Sequence, residues 1–236
     1  MPARRRGHER LDDPRAAGAE VVVRELRDVT RANALFGGTH AVVREVCDAL
    51  SAPPRRAAVT LVDVGTGLGD IPRAAAAAVA RLGIRLESCG VELSEAAARA
   101  AHGGMTAAVC ADAFRLPFAD GSVDLVTCSQ LLHHFEGEQA VALLREMDRV
   151  AAHRVIVSDL RRSWIAAAGL WAASWPLGFH PHSRHDGVTS VLRGFRRAEL
   201  QALAAGATGA AVRTVNRAGF RVTASWRPVA AGGPPA

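Results

Sequence analysis

The segment Asp63-Val64-Gly65-Thr66-Gly67-Leu68-Gly69 sets three glycines at alternate positions behind the β-branched run Val59–Val64. Glycines at a strand-to-helix turn let the backbone approach a ligand closely. A dinucleotide fingerprint wants a glycine where Asp70 stands, so the pattern suits a nucleoside without a pyrophosphate. Asp63, two residues ahead of the first glycine, can orient the turn or attract an ammonium group through water. A generic tight turn, or a nucleotide site of another kind, would use the same glycines. Glu92 ends a second apolar run, where a carboxylate can accept from both hydroxyls of a ribose; a plain exposed strand end is the alternative. After a third run, Asp112 can accept from an adenine amino group, with Ala113 beside it and Leu93 or Phe114 sandwiching the ring. Ser129 closes a fourth run, Val123–Ser129, and His133 and His134 follow it.

A second group of residues lies far along the chain. Ser163 to Phe179 contains no charged residue and holds Trp164, Trp171, Trp175 and Phe179. It is too short for a comfortable membrane span. Three readings fit: a lid whose aromatics line a flat apolar pocket, an ordinary core-facing helix, or an interfacial helix serving a lipid substrate. The lid is favoured. His180, His182, His185 and Asp186 come next, either as a general base at the pocket mouth with a carboxylate orienting the imidazole or as a solvated polar loop. A metal site is not expected there, because Arg161, Arg162, Arg184 and Arg193 surround these histidines in sequence. His133 and His134 are adjacent, so on a helix only one would face a ligand. Asn33 and Arg31 are weaker candidates for contact with a cofactor carboxylate or an acceptor.

These residues need an alternating frame. Runs at 59–64, 85–92, 106–111, 123–129 and 154–159 read as strands, and helical stretches at 71–82, 94–101 and 138–149 separate them. Such alternation implies right-handed βαβ crossovers and a mostly parallel sheet, with the strand ends on one edge where open α/β sheets bind ligands. A helix at 197–205 and strands at 211–215 and 221–225 complete the pattern. Ahead of the sheet, apolar positions between Val21 and Leu50 recur at helical spacing, and Gly37-Gly38 breaks them into two helices. The expected organisation is an Arg-rich disordered tail over 1–18, a helical cap over 19–55, a main domain over 56–228 with the lid at about 161–194, and a flexible tail over 229–236.

With 236 residues the chain is long enough for one α/β domain with a sizeable core. The net charge of +6 comes entirely from arginine, since there is no lysine. The arginines are scattered, so a nucleic-acid partner is not expected. Cys47, Cys89, Cys110 and Cys128 lack the close spacing of a zinc knuckle or redox dithiol, which points to a reducing, cytoplasmic setting.

The ordered set Asp63-x-Gly65-x-Gly67-x-Gly69, Glu92, Asp112-Ala113, Leu116-Pro117-Phe118-x-Asp120-x-Ser122-x-Asp124 and Ser129-x-x-x-His133-His134 resembles the class I methyltransferases that depend on S-adenosylmethionine. The likeness covers roughly Ala57 to Asp159 and is nearest the subgroup that methylates small molecules, including quinone-pathway and polyketide-tailoring enzymes. It implies a Rossmann-like fold of seven strands, mostly parallel, with helices on both faces. It implies that Gly65, Thr66, Gly67 and Gly69 face the methionine part of the cofactor, that Glu92 binds its ribose and Asp112 and Ala113 its adenine, and that Ser129 lines the floor. Base and amide N-methylases of this class carry Asn/Asp-Pro-Pro-Tyr/Phe after strand four. Ser129-Gln130-Leu131-Leu132 departs from that and favours O- or C-methylation of a small, aromatic acceptor. For a hydroxyl acceptor a histidine base is expected, first among His134 and His182, then His133 and His185. A repurposed, non-catalytic cofactor-binding protein is the rival from another class. The oligomeric state is open.

Overall fold

A computed structural model describes Pro2, Arg4, residues 18–52 and residues 58–229. The expected terminal tails and the boundary between cap and main domain lie largely outside these residues. Arg4 is described, and its guanidinium donates to the backbone oxygens of Arg193 and Phe135.

Seven strands form one sheet: β1 (Val59–Val64), β2 (Leu86–Glu92), β3 (Ala107–Cys110), β4 (Val123–Ser129), β5 (Ala151–Leu160), β6 (Arg213–Arg217) and β7 (Arg221–Trp226). Their order is β3-β2-β1-β4-β5-β7-β6. The first five pair in parallel, and β7 runs antiparallel to both β5 and β6. Period-two alternation supplies the two apolar faces. Leu61, Leu125 and Ile156 pack with Val42, Val46, Ile71 and Val79 on one side. Val62, Val126, Val155 and Val157 pack with Leu143, Leu144, Met147 and Leu200 on the other.

Among the described residues, eight α-helices connect or cover the strands: α1 (Ala19–Leu35), α2 (Gly38–Ala49), α3 (Asp70–Ala80), α4 (Glu95–Ala101), α5 (Gly137–Val150), α6 (Trp164–Ser174), α7 (Pro181–Arg193) and α8 (Arg197–Thr208). Gly37 divides α1 from α2 in the left-handed region, at φ 77°, where a side chain would be strained. The buried Glu45 of α2 holds the cap to the terminal hairpin, accepting from Arg213, Arg217, Thr223 and Ser225. Leu144 is fully buried between α5 and the sheet. Leu144→Ala should therefore cost about 2–5 kcal/mol through lost burial and the residual cavity, read as a lower urea midpoint at unchanged m-value.

Three elements differ from the sequence expectation, among them β6, which spans Arg213–Arg217 in place of 211–215. β5 begins at Ala151, directly after α5, and is longer than 154–159. Residues 180–193, read as a pocket-mouth base or a polar loop, are mostly the helix α7. Pro181 stands at its first turn, where a missing N–H costs nothing, and the His180 side chain accepts from the His182 N–H. Polar residues crowd its first two turns and hide the apolar spacing of Val188, Val191 and Leu192.

Candidate active site

The strand order reverses direction between β1 and β4, which places a crevice over their carboxyl ends. A cavity of about 1150 Å³ opens there. Its floor is made by the turns after β1 to β4. Its roof is α1, which packs on α4 and α7, together with the lid formed by α6 and α7. Roof and lid are pinned together. The Asp28 carboxylate accepts from the His180 backbone N–H at 3.0 Å, and the Arg31 guanidinium donates to the Leu177 oxygen at 2.6 Å.

The glycine turn is left-handed at each of its glycines, with Gly65 at φ 70° and Gly67 at φ 60°. A Cβ on Gly65 would stand 2.9 Å from the Leu131 side chain. The Gly67 N–H donates to Glu92 Oε1 at 2.5 Å, which ties the turn after β1 to the end of β2. Burial pushes Glu92 up from its ordinary 4.5 to about 7. Burial likewise raises Asp63 to about 6, although Thr127 donates to its carboxylate at 2.6 Å. Asp112 forms a local turn by accepting from the Phe114 N–H at 2.9 Å. The Phe114 ring meets Phe135 edge-on at 4.9 Å.

Across the cavity, Leu132–His134 forms one 3-10 turn, and both His133 and His134 reach the wall. The two rings lie 4.3 Å apart at 32°, so adjacency does not force one of them away from the cavity, because the turn is not α-helical. His133 Nδ1 lies 2.7 Å from Asp159 Oδ1, and both side chains are buried. Burial pushes Asp159 up, but the pairing with His133 outweighs it and holds the carboxyl below its usual range. Asp159 also accepts from the backbone N–H of His133 and of Leu160. Arg193 of α7 donates to the backbone oxygens of His133 and His134 and so clamps the turn from above. The residue that opens the turn, Gln130, has φ 53°, strained for a side chain other than glycine. Asn33 and Arg221 meet its amide.

The cavity wall brings together Asp63, Gly65, Thr66, Gly67, Glu92, Leu93, Asp112, Ala113, Phe114, Ser129, His133, His134, Phe179 and Asn33. Gly69 is not part of the wall; a Cβ there would stand 2.6 Å from the Met105 sulfur. His182 is exposed and lies outside the wall, as does His185, whose nearest carboxylate is its neighbour Asp186. Among the described residues, no three His, Cys, Asp or Glu side chains gather as ligands of one metal ion. Trp164, Trp171 and Trp175 are corrected most sharply. They are 62%, 53% and 57% exposed and point off the outer face of the lid. The lid meets the cavity instead through Ile165, Ala166, Gly169 and Leu170. A helix with no charged residue has no polar stripe to tell its outer face from its inner one, so the sequence left the two indistinguishable. Asp159 was missed because a carboxylate inside a β-branched strand reads as a strand end. The α1 residues Glu25 and Leu26 were missed because their face resembles an ordinary amphipathic stripe.

Residues 62–157 match the family model of a methyltransferase domain, and this stretch holds both the glycine turn and the His133 turn. Over that stretch the chain is similar to methyltransferase domains, and its seven-stranded sheet has the Rossmann-like order of the class I methyltransferase fold. Its fold is shared with a SAM-dependent methyltransferase from Aquifex aeolicus, at 16% identity over 78% of this chain and 89% of that one, TM-score 0.55. It is shared with the magnesium protoporphyrin IX methyltransferase of Synechocystis PCC 6803 with bound SAM, at 17% identity over 82% and 80%, TM-score 0.54. A putative O-methyltransferase from Nostoc punctiforme PCC 73102 matches at 16% identity over 88% of this chain and 60% of its own, TM-score 0.62. No curated protein sequence matches the chain.

The residues of the cavity fit S-adenosylmethionine. Carboxylates of Glu25, Asp28, Asp63, Asp70, Glu92, Asp112, Glu136 and Asp186 line the cavity, against the cations of Arg193 and Arg221. Such a balance favours a ligand that carries sulfonium and ammonium charge and opposes a pyrophosphate. The Ser129 hydroxyl oxygen is buried in the floor with no hydrogen-bond partner among the described residues, a group that a bound ligand would satisfy. Single-ligand pockets run to roughly 1,000 Å³, so the volume also leaves room for an acceptor.

Proposed function

We propose that the protein transfers a methyl group to the hydroxyl of a small phenolic or polyketide-like acceptor, with His133 as general base. The observation that carries this reading is the buried His133–Asp159 pair on the cavity wall. S-adenosylmethionine, when bound, supplies the methyl group from its sulfonium. The chain's own part is to bind, orient and remove a proton. Gly65 and Gly67 leave their backbone open to the methionine part. Glu92 accepts from the ribose hydroxyls, Asp112 accepts from the adenine, and Phe114 packs on the ring. The apolar inner face of the lid, with Phe179 and Leu170, encloses the acceptor and excludes water, and Ile165 stands at the mouth. Asp159 keeps the His133 proton on Nδ1, so the basic lone pair of the neutral ring is on Nε2. A phenol of pKa near ~10 is mostly protonated at neutral pH, and an imidazole is suited to take that proton as the oxygen becomes the nucleophile. Proximity contributes the remainder of the acceleration.

C-methylation of an activated aromatic or quinone ring is the nearest alternative, since it also starts from a phenolate. The free Cys47, Cys89, Cys110 and Cys128 support a reducing, cytoplasmic setting. No helix among the described residues is long and apolar enough to cross a membrane. The test is a screen with methyl-labelled cofactor against phenols, quinones, amines and RNA, followed by NMR of the product. Label on a phenolic oxygen is expected. Label only on carbon would favour the alternative, and label only on RNA or amines would overturn the reading.

A further inference from the structure

The outer face of the lid is more apolar than catalysis requires. Trp164, Trp171 and Trp175 recur at intervals of seven and four and so share one face of α6 and its end. All three are more than half exposed. Trp171 and Trp175 meet edge-to-face at 5.9 Å, forming a continuous aromatic surface. The Arg184 guanidinium of α7 lies 4.0 Å from the centre of the Trp175 ring. Arg162 and Arg193 are buried and held by Glu199 and by the His133 turn, which leaves Arg184 as the cation at this face. An apolar patch of this kind, with a cation at its edge, marks a contact surface.

We propose that this face seats the protein on an anionic lipid bilayer, with α6 lying in the plane of the interface. Its eleven residues extend only about 16 Å, half of a hydrocarbon core, so the helix lies on the membrane and does not span it. Tryptophan is the side chain that favours the headgroup level, where the ring is buried and the indole N–H stays solvated. Arg184, stacked beside Trp175, sits where it meets anionic headgroups. A second copy of the chain is the competing occupant, and the test below separates the two. Ile165, Gly169 and Leu170 of the same helix line the cavity. Docking would therefore open the cavity mouth at the interface, where a lipophilic acceptor concentrates; this last step rests on the small-molecule reading above.

The experiment measures sedimentation of the full chain with vesicles of phosphatidylcholine alone and with about 30% phosphatidylglycerol, and follows tryptophan emission. The wild type should bind the anionic vesicles at ~0.15 M salt with a blue shift, and bind neutral ones less. The combined Trp164→Ala, Trp171→Ala and Trp175→Ala variant should lose binding at least about tenfold. Arg184→Glu should weaken binding to anionic vesicles alone. Cofactor affinity serves as the folding control and should be unchanged in both variants. Equal binding of the triple variant and the wild type would overturn the proposal. So would absence of wild-type binding, with or without a concentration-dependent dimer that the same substitutions abolish. Because no turnover is read, a wrong acceptor class leaves this result untouched.

Discussion

Replacing His133 with asparagine should lower kcat about 10²–10⁴-fold on a phenolic acceptor while cofactor affinity stays within about twofold. Asparagine keeps a donor for the buried Asp159 carboxylate but removes the proton acceptor. His133→Ala is the harsher form, because it leaves Asp159 buried without its ring partner, a loss of about 3–5 kcal/mol where a buried pair is broken. Asp159→Asn should lower kcat as well, since an amide can hold the ring in the other tautomer. His134→Ala should cost less than about tenfold, as it is His133 whose Nδ1 meets the buried carboxylate at 2.7 Å. The decisive measurement is kcat for phenols of graded acidity. The deficit of His133→Asn should shrink as the acceptor pKa falls, because acidic phenols ionise without help. A deficit that stays constant across the series would make His133 a packing residue. Near-wild-type turnover throughout would leave catalysis to proximity alone.

How much of this was legible follows from which patterns carry a period or a strict backbone demand. The glycine turn and Glu92 could be read directly, because positive φ at Gly65 and Gly67 and a carboxylate at a strand end are local demands. The five parallel strands were legible from alternation, and only the ends of β5 and β6 shifted by a few residues. The pairing of His133 with Asp159 was not, since the partners are 26 residues apart and meet only because β4 and β5 are neighbours. The orientation of α6 was not legible either. Apolar residues all around a helix permit any rotation, and it is the packing of Ala167 and Leu170 against α7 that turns the tryptophans outward. His182 and His185 looked like pocket residues by proximity in sequence. Helix α7 instead gives the cavity Ser183, Asp186, Gly187 and Ser190, and carries those histidines on its outer side.

Glu92→Gln should weaken S-adenosylmethionine and S-adenosylhomocysteine alike, by about 10–100-fold at pH 8, as expected when a charged hydrogen-bond acceptor worth about 1.5–3 kcal/mol is lost. The same carboxylate should make cofactor binding depend on pH. Without cofactor, burial raises Glu92 to about 7, so near neutrality it is about half protonated. The sign for folding follows. The folded chain holds this proton more tightly than the unfolded chain, whose carboxyl titrates near 4.5. Stability of the cofactor-free protein therefore falls as pH rises between about 4.5 and 7, and Asp63, raised to about 6, adds in the same direction over a lower window. Ribose hydroxyls donate to the ionised form, so binding draws Glu92 back toward ionisation and releases a proton. Affinity should then rise with pH, approaching tenfold per unit below about 7 and levelling above it. Calorimetry in phosphate and in Tris would detect the released proton as a difference in heat. The rise in Tm produced by a fixed excess of cofactor should also grow from pH 6 to pH 8. In Glu92→Gln the pH dependence should flatten, because the amide does not titrate. Flat affinity in the wild type across this range, with no loss in the variant, would remove Glu92 from the ribose site and leave its contact with Gly67 as its whole role.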